Sequence, residues 1–342
     1  MSAASHTRSQ CAKPFQAHNT PCTRRGPLLK ASMPQQTAST QQQLLQQQPH
    51  LQFLQLAHDL ADAAGLITTR YFRTKLNVDS KSDASPVTIA DRQAEEAMRK
   101  LIAAAYPSHA VFGEEAGLTL GSSSSSSGDG SNSSSSSGDE WLWVLDPIDG
   151  TKSFITGKPL FGTLIALLHN GTPVLGVIDQ PVTRERWVGL AGQQSSLNGR
   201  PISARACGGI SNAYMYSTTP HMFAGGTEQA FHRVRDAVRI PMYGCDCYAY
   251  GLLAAGHCDL VVEADLKPYD YMALVPIIQG AGGVISDWSG QPLRWQVQGG
   301  DVAAAIKAAP GEVLAAGDAK THAQALQLLA WKQQQQQQQQ QQ

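Results

Sequence analysis

The sequence predicts an α/β protein whose first sheet is mostly antiparallel, on three observations. Two stretches carry apolar residues at helical spacing: Phe53, Leu56, Ala57, Leu60, Ala63, Ala64 and Ile67, then Ala94, Ala97, Met98, Leu101, Ile102 and Ala105. Next come apolar runs at Leu160–His169, Pro173–Asp179 and Arg186–Leu190, joined by turn signals such as His169-Asn170-Gly171-Thr172, the pattern of a meander. From Ala213 onward, strand and helix patterns alternate. The 342 residues, 42% of them apolar, suffice for a sizeable core. A formal charge of -1, from 26 basic and 27 acidic residues, gives no global field to attract nucleic acid or a membrane surface, and no apolar run approaches bilayer length.

Residues 1–49 carry Arg8, Lys13, Arg24, Arg25 and Lys30 without one Asp or Glu; the first acid is Asp59. This basic, hydroxyl-bearing composition has no apolar stretch suited to secretion. It predicts a disordered organelle transit peptide, for the chloroplast stroma in preference to the mitochondrion. A low-complexity extension without a targeting role would also explain the Gln-rich stretch Gln35–Gln48. The folded part is expected over residues 50–332. Within it Gly121–Gly138 is almost pure serine and reads as a solvated loop insertion (121–138), because it has too little apolar surface to order itself. Gln333–Gln342 (333–342) reads as a tail. Of the 6 cysteines, Cys11 and Cys22 fall in the presequence, while Cys207, Cys245, Cys247 and Cys258 lack C-x-x-C spacing, which predicts free thiols.

In chain order, the first helix is expected over residues 50–72. The second is closed by Pro107 and carries Asp91 in its first turn, where an acid favours the helix dipole. Val111, Phe112 and Gly113 form a short strand leading into Glu114 and Glu115, which alone would be a solvated edge. The apolar run Trp141–Leu145 reads as a buried strand that stops at Asp146 and Asp149. Burying two like charges this close raises at least one pKa and costs several kcal/mol unless a cation lies between them. Pro147 fixes the turn, Gly150 permits an unusual dihedral, and Thr151 begins a short helix whose free N–H groups face the same spot. An anion site then stands beside a cation site. A polar turn with an Asx cap would use the same residue types.

After the meander, Ser196–Pro201 is another tight turn. Ala213–Ser217 and Asp259–Glu263 read as strands, and Glu228–Val238 and Cys247–Ala255 as helices. Asp246 stands where the N-cap of the latter would be. His221, alone after a strand, reads as structural. Asp270 opens a helix with Ala273, Leu274, Ile277 and Ile278 on its core face, ended by Gly280, Gly282 and Gly283 before a strand at Val284.

The hexapeptide Asp146-Pro147-Ile148-Asp149-Gly150-Thr151, placed after an apolar run, resembles the metal-binding signature of the inositol monophosphatase superfamily of magnesium-dependent phosphomonoesterases. Gly113-Glu114-Glu115 upstream, and Asp270 with its helix ending in Gly280-Ala281-Gly282-Gly283 downstream, match the family's other metal motifs in the family's order. Tyr269-Asp270 stands where the family has Trp-Asp. The resemblance spans roughly residues 50–331 and implies a layered αβαβα sugar-phosphatase fold, with a mostly antiparallel metal-site sheet and a second smaller mixed sheet. It implies that Glu114, Asp146 and the carbonyl of Ile148 hold one ion, and Asp146, Asp149 and Asp270 a second. Two or three Mg²⁺ ions, or Mn²⁺, suit these hard oxygen ligands. Glu114 and a Thr151–Asp91 pair would orient the attacking water, and the amides of Gly150 and Thr151 would bind the phosphate. A small-molecule phosphate ester as substrate and a homodimer are also implied.

Substrate choice has its own residues. Gly244, Cys245 and Asp246, together with Glu263, correspond to the family's leaving-group contacts. Two carboxylates there suit a cationic amino alcohol better than a neutral polyol. The run Asp146–Trp187, with FITGKPLFGTLIALL and IDQPVTRERW, and the segments YGCDCYAY and LKPYD, resemble the plant-type histidinol-phosphate phosphatases. That implies hydrolysis of L-histidinol phosphate in histidine biosynthesis; an inositol-phosphate or related small-molecule phosphatase is the alternative. A non-catalytic interaction protein would have no reason to bear the repulsion of clustered acids.

Overall fold

A computed structural model describes residues 52–75, 78–80, 86–122, 140–297 and 301–330. The transit-peptide and glutamine-tail readings, and nearly all of the serine loop, lie outside the described residues. Two helices come first, α1 (Leu54–Tyr71) and, after a short antiparallel ladder of β1 (Asp79–Ser80) with β2 (Pro86–Val87), α2 (Ile89–Ala105). The stripe Leu56, Ala57, Leu60, Ala61, Ala64 of α1 is buried, as are Ala94, Met98 and Ile102 of α2.

The large sheet follows: β3 (Ala110–Gly113), β4 (Gly117–Thr119), β5 (Trp141–Asp149), then the short helix α3 (Thr151–Ile155), β6 (Gly162–His169), β7 (Thr172–Gln180), β8 (Glu185–Leu190), β9 (Ser196–Leu197) and β10 (Arg200–Pro201). Its 8 strands lie in the order β10-β9-β8-β7-β6-β5-β3-β4. Only β3 with β5 is parallel; the other pairs in it are antiparallel. The second sheet is built from β11 (Tyr214–Ser217), β12 (Ile240–Tyr243) after helix α4 (Gly226–Ala237), and β13 (Leu260–Glu263) after α5 (Cys247–Ala254). Helices α6 (Pro268–Tyr271) and α7 (Leu274–Gly280) lead to β14 (Val284–Asp287), and α8 (Val302–Ala308) to β15 (Val313–Ala316) and α9 (Ala319–Leu329). Its order is β12-β11-β13-β15-β14, with β11 parallel to both neighbours and β15 antiparallel to both of its own.

Strand alternation sorts these elements into five layers. On β5, Trp143 and Leu145 face α1 and α2, while Leu142 and Val144 face the middle layer of α5 and α7. On β13, Val261 faces that middle layer, and Leu260 and Val262 face an outer one with Phe231 and Val234 of α4 and Ala325 and Leu329 of α9. The expected αβαβα layering is therefore present. Strand β6 is covered on both sides, which is why its sequence is a continuous apolar run and not an alternation. Gly176 and Gly189 pair across β7 and β8, and a side chain on either would strike the backbone of Ala273 or Ile277. The missing side chains let α7 lie directly on the sheet.

Three expectations need correction. Strand β5 does not stop at Asp146 but runs on to Asp149. The single helix expected from Asp270 is two, with Asp270 inside α6 and the core-facing stripe in α7. Strands β4, β12 and β15 and helices α8 and α9 were not anticipated; β12 contains Pro241 and is largely exposed, as a proline-bearing edge strand must be.

Candidate active site

The site forms where β5 ends. Residues three apart on a regular strand point to opposite faces, yet the register against β6 shifts between Asp146, opposite Leu164, and Asp149, opposite Gly162. The extra residue in β5 turns both aspartates to one place. Pro147 cannot donate to the ladder, and its carbonyl accepts instead from the Thr163 hydroxyl at 2.8 Å. Gly150 follows at φ 86°, caps α3 and begins its climb away. Asp270 is fixed from the other side: its Oδ2 accepts from the Lys267 amide at 2.6 Å. One carboxylate oxygen each of Asp146, Asp149 and Asp270 lies within 4.8 Å of the others, a group that could hold a metal ion.

Glu114 follows β3 and prolongs its pairing, its amide donating to the Leu145 carbonyl at 3.1 Å. Its carboxyl lies against Asp146. The turn after it is held by a residue that the sequence did not single out. Buried Glu95 of α2 accepts from the amides of Glu115 at 2.8 Å and Ala116 at 2.9 Å, and pairs with Arg99 at 2.8 Å. A Glu four residues before an Arg on a helix was the available signal, but it reads as an ordinary surface pair until the helix is docked.

Burial, followed by the charges of Glu114, Asp149 and Asp270, holds the Asp146 carboxyl well above its usual range. Burial, then Asp246 and Asp270, does the same to Asp149. Asp270 is pushed up to about 8, by burial first and by Glu114 and Glu263, against the Lys267 amide. Three acids that resist joint ionisation need a cation to be anions together at neutral pH. The donors suit a hard ion, because all three are carboxylate oxygens.

The other expected site residues gather here with different partners. Asp91 does not pair with Thr151. Its Oδ2 accepts from the Thr88 amide at 2.8 Å and hydroxyl at 2.6 Å, closing a capping box, while its buried Oδ1 has no protein partner. The Thr151 hydroxyl donates at 3.1 Å to the carbonyl of Ile148, whose side chain is buried in the core. Asp149 accepts from the backbone amide of Cys247 at the start of α5. Asp246 holds the N-cap position there without a side-chain cap bond, and its Oδ2 accepts from the Ser153 hydroxyl of α3 at 3.4 Å. Glu263 is spent on protein groups: Oε1 takes the Thr218 amide and hydroxyl at 2.9 and 2.6 Å, and Oε2 the Tyr250 hydroxyl at 2.8 Å. It lies behind the Asp246 loop as a buttress. Gly244 and Cys245 form that loop, with φ of 94° and 85°.

The family model described as the inositol monophosphatase family matches residues 50–327. The chain is 51% identical over 279 residues to the bifunctional phosphatase IMPL2, chloroplastic, of Arabidopsis thaliana, covering 82% of this chain and 75% of that protein. It is 36% identical over 241 residues to the histidinol-phosphatase of Chlorobaculum parvum, covering 70% of this chain and 86% of that one. Among solved structures, an inositol monophosphatase from Zymomonas mobilis superposes with a TM-score of 0.68 and 43% identity, covering 82% of this chain and 98% of the other.

Proposed function

The chain belongs to the inositol monophosphatase family of phosphatases, and from that premise we propose that it hydrolyses L-histidinol phosphate to L-histidinol and phosphate. The observation that carries the substrate is Asp246: half-buried beside Asp149, drawn away from its helix and facing the α3 start, it offers a carboxylate on the side where the alcohol would leave. A cationic amino alcohol meets such a group with a charge-assisted bond, whereas a neutral polyol gains only an ordinary one. The histidinol-phosphatase of C. parvum, alike over 86% of its length, supports the same substrate. Inositol phosphate is the second reading, supported by the 43% identity to the Z. mobilis inositol monophosphatase.

In this proposal Glu114, Asp146, the Ile148 carbonyl, Asp149 and Asp270 hold two or three Mg²⁺ ions, or Mn²⁺. When bound, the ions supply the charge that makes hydroxide available near neutral pH and that offsets charge on the phosphoryl oxygens. Glu114 then orients the attacking water, with Asp91 Oδ1 as the second buried acceptor near it. The amides of Gly150 and Thr151 receive the phosphate. The basic, acid-free segment ahead of α1, together with the chloroplastic relative, supports import into the chloroplast stroma. Among the described residues no helix is long and apolar enough to cross a membrane. Phosphate release by purified protein tests the proposal: histidinol phosphate should be the better substrate than inositol phosphate, and activity should vanish with a chelator and return with Mg²⁺. Full activity after chelation, or a preference for inositol phosphate, would overturn it.

A further inference from the structure

An aspartate at a helix N-cap normally turns its carboxylate onto the first free amides of its own helix. Asp246 does not. It is held in the left-handed region at φ 44°, after Cys245 at φ 85° and Gly244 at φ 94°, a strained run for side-chain-bearing residues. Three contacts keep its carboxylate elsewhere. The Ser153 hydroxyl donates to Oδ2 at 3.4 Å. Beneath it is Gly150, where a Cβ would come within 2.9 Å of the same oxygen, so the carboxylate lies over bare backbone. Beside it is Thr218, whose own hydroxyl and amide are anchored on Glu263 at 2.6 and 2.9 Å. Lys152 and Lys158 add favourable charge, and the Thr218 hydroxyl also bonds Asp246 but is committed to Glu263; Ser153 is the buried hydroxyl that bonds Asp246 and has no part in the hydrolysis.

We propose that Ser153 is a specificity-determining positioning residue, whose hydroxyl holds the Asp246 carboxylate over Gly150 so that it meets the cationic group of the departing alcohol. The inference rests on the histidinol phosphate reading. The leading amides of α5 are already taken, that of Cys247 by Asp149 and those of Tyr248 and Ala249 by the carbonyls of Cys245 and Asp246. Without the Ser153 hydroxyl the carboxylate still feels the charges of Lys152 and Lys158 but loses the bond that fixes it over Gly150. Loss of that bond leaves the contacts of Asp146, Asp149 and Asp270 in place, so the loss falls on recognition of the alcohol.

The test is a double-mutant cycle of Ser153→Ala and Asp246→Asn, read as kcat/KM on histidinol phosphate and on p-nitrophenyl phosphate, with Ser153→Thr as the conservative variant. Ser153→Ala should lower kcat/KM for histidinol phosphate about fivefold to twentyfold, mostly through KM, and change the aryl phosphate less than about twofold. Ser153→Thr should retain the wild-type preference. In the Asp246→Asn background, Ser153→Ala should cost less than about twofold further. A crystal structure of the Ser153→Ala protein should show the Asp246 carboxylate displaced from its place over Gly150. Equal loss on both substrates, additive losses in the cycle, or a carboxylate still lying over Gly150 would overturn the inference. A wild-type preference for inositol phosphate would instead defeat the histidinol phosphate reading, while the crystal structure would still report whether Ser153 holds the carboxylate.

Discussion

Asp149 is the residue at which the electrostatics of the site can be read most simply, because it belongs to the acidic group and also feels the charge of Asp246. Asp149→Asn removes one of several crowded acids, so we expect phosphate release to fall below detection while the chelated protein gains thermal stability. A variant that is inactive and also less stable would mean that Asp149 holds the fold, through its bond to the Cys247 amide. The pH dependence follows from Asp270, whose carboxyl is raised from 3.8 to about 8, chiefly by burial. The folded chain binds this proton more tightly than the unfolded one. Stability from this group is therefore present below pH 3.8 and is lost as pH rises toward about 8. Chelated protein should lose thermal midpoint across that window, and the gain on adding Mg²⁺ should widen with pH. A gain that stays flat or shrinks would contradict it.

At the scale of elements, α7 lies directly on the β7–β8 pair, because Gly176 and Gly189 leave no side chain between sheet and helix. Gly176→Ala should cost about 1–3 kcal/mol in urea unfolding by forcing the helix outward. It should also depress turnover, since α6 and α7 together position Asp270; an unchanged protein would mean that the helix shifts freely. What the sequence made legible at this scale were elements whose pattern is local. The stripes of α1 and α2, the hairpin strands β6 to β8 and the Asp-Pro-Ile-Asp-Gly-Thr turn carry their own periodicity or turn chemistry. Strand β15, Val-Leu-Ala-Ala, has weak strand propensity and is a strand because β13 and β14 pair with it on both sides. The clamp on Asp246 was illegible for a similar reason. Ser153 and Thr218 are unremarkable hydroxyls in sequence, 93 residues and 28 residues from Asp246, until the fold brings them together. The bulge in β5 was half visible: its residues were evident, but the continuation of the strand depends on pairing with Gly162.

Across the whole molecule, two sheets with a helical layer between them place the carboxylates that could hold a metal on the large sheet and α6, and the Asp246 loop at the junction of β12 and α5. Under the proposed function, catalysis and recognition of the alcohol sit on different parts of the fold and meet at α3. This separation makes the substrate assignment testable by a ratio. The most direct measurement is kcat/KM for histidinol phosphate and for inositol phosphate, in wild-type protein and in Asp246→Asn. Loss of a charge-assisted bond of about 1.5–3 kcal/mol should lower the histidinol phosphate value roughly tenfold to a hundredfold and leave the inositol phosphate value nearly unchanged. A substitution that lowers both substrates equally would contradict the account and leave Asp246 a structural residue of the loop.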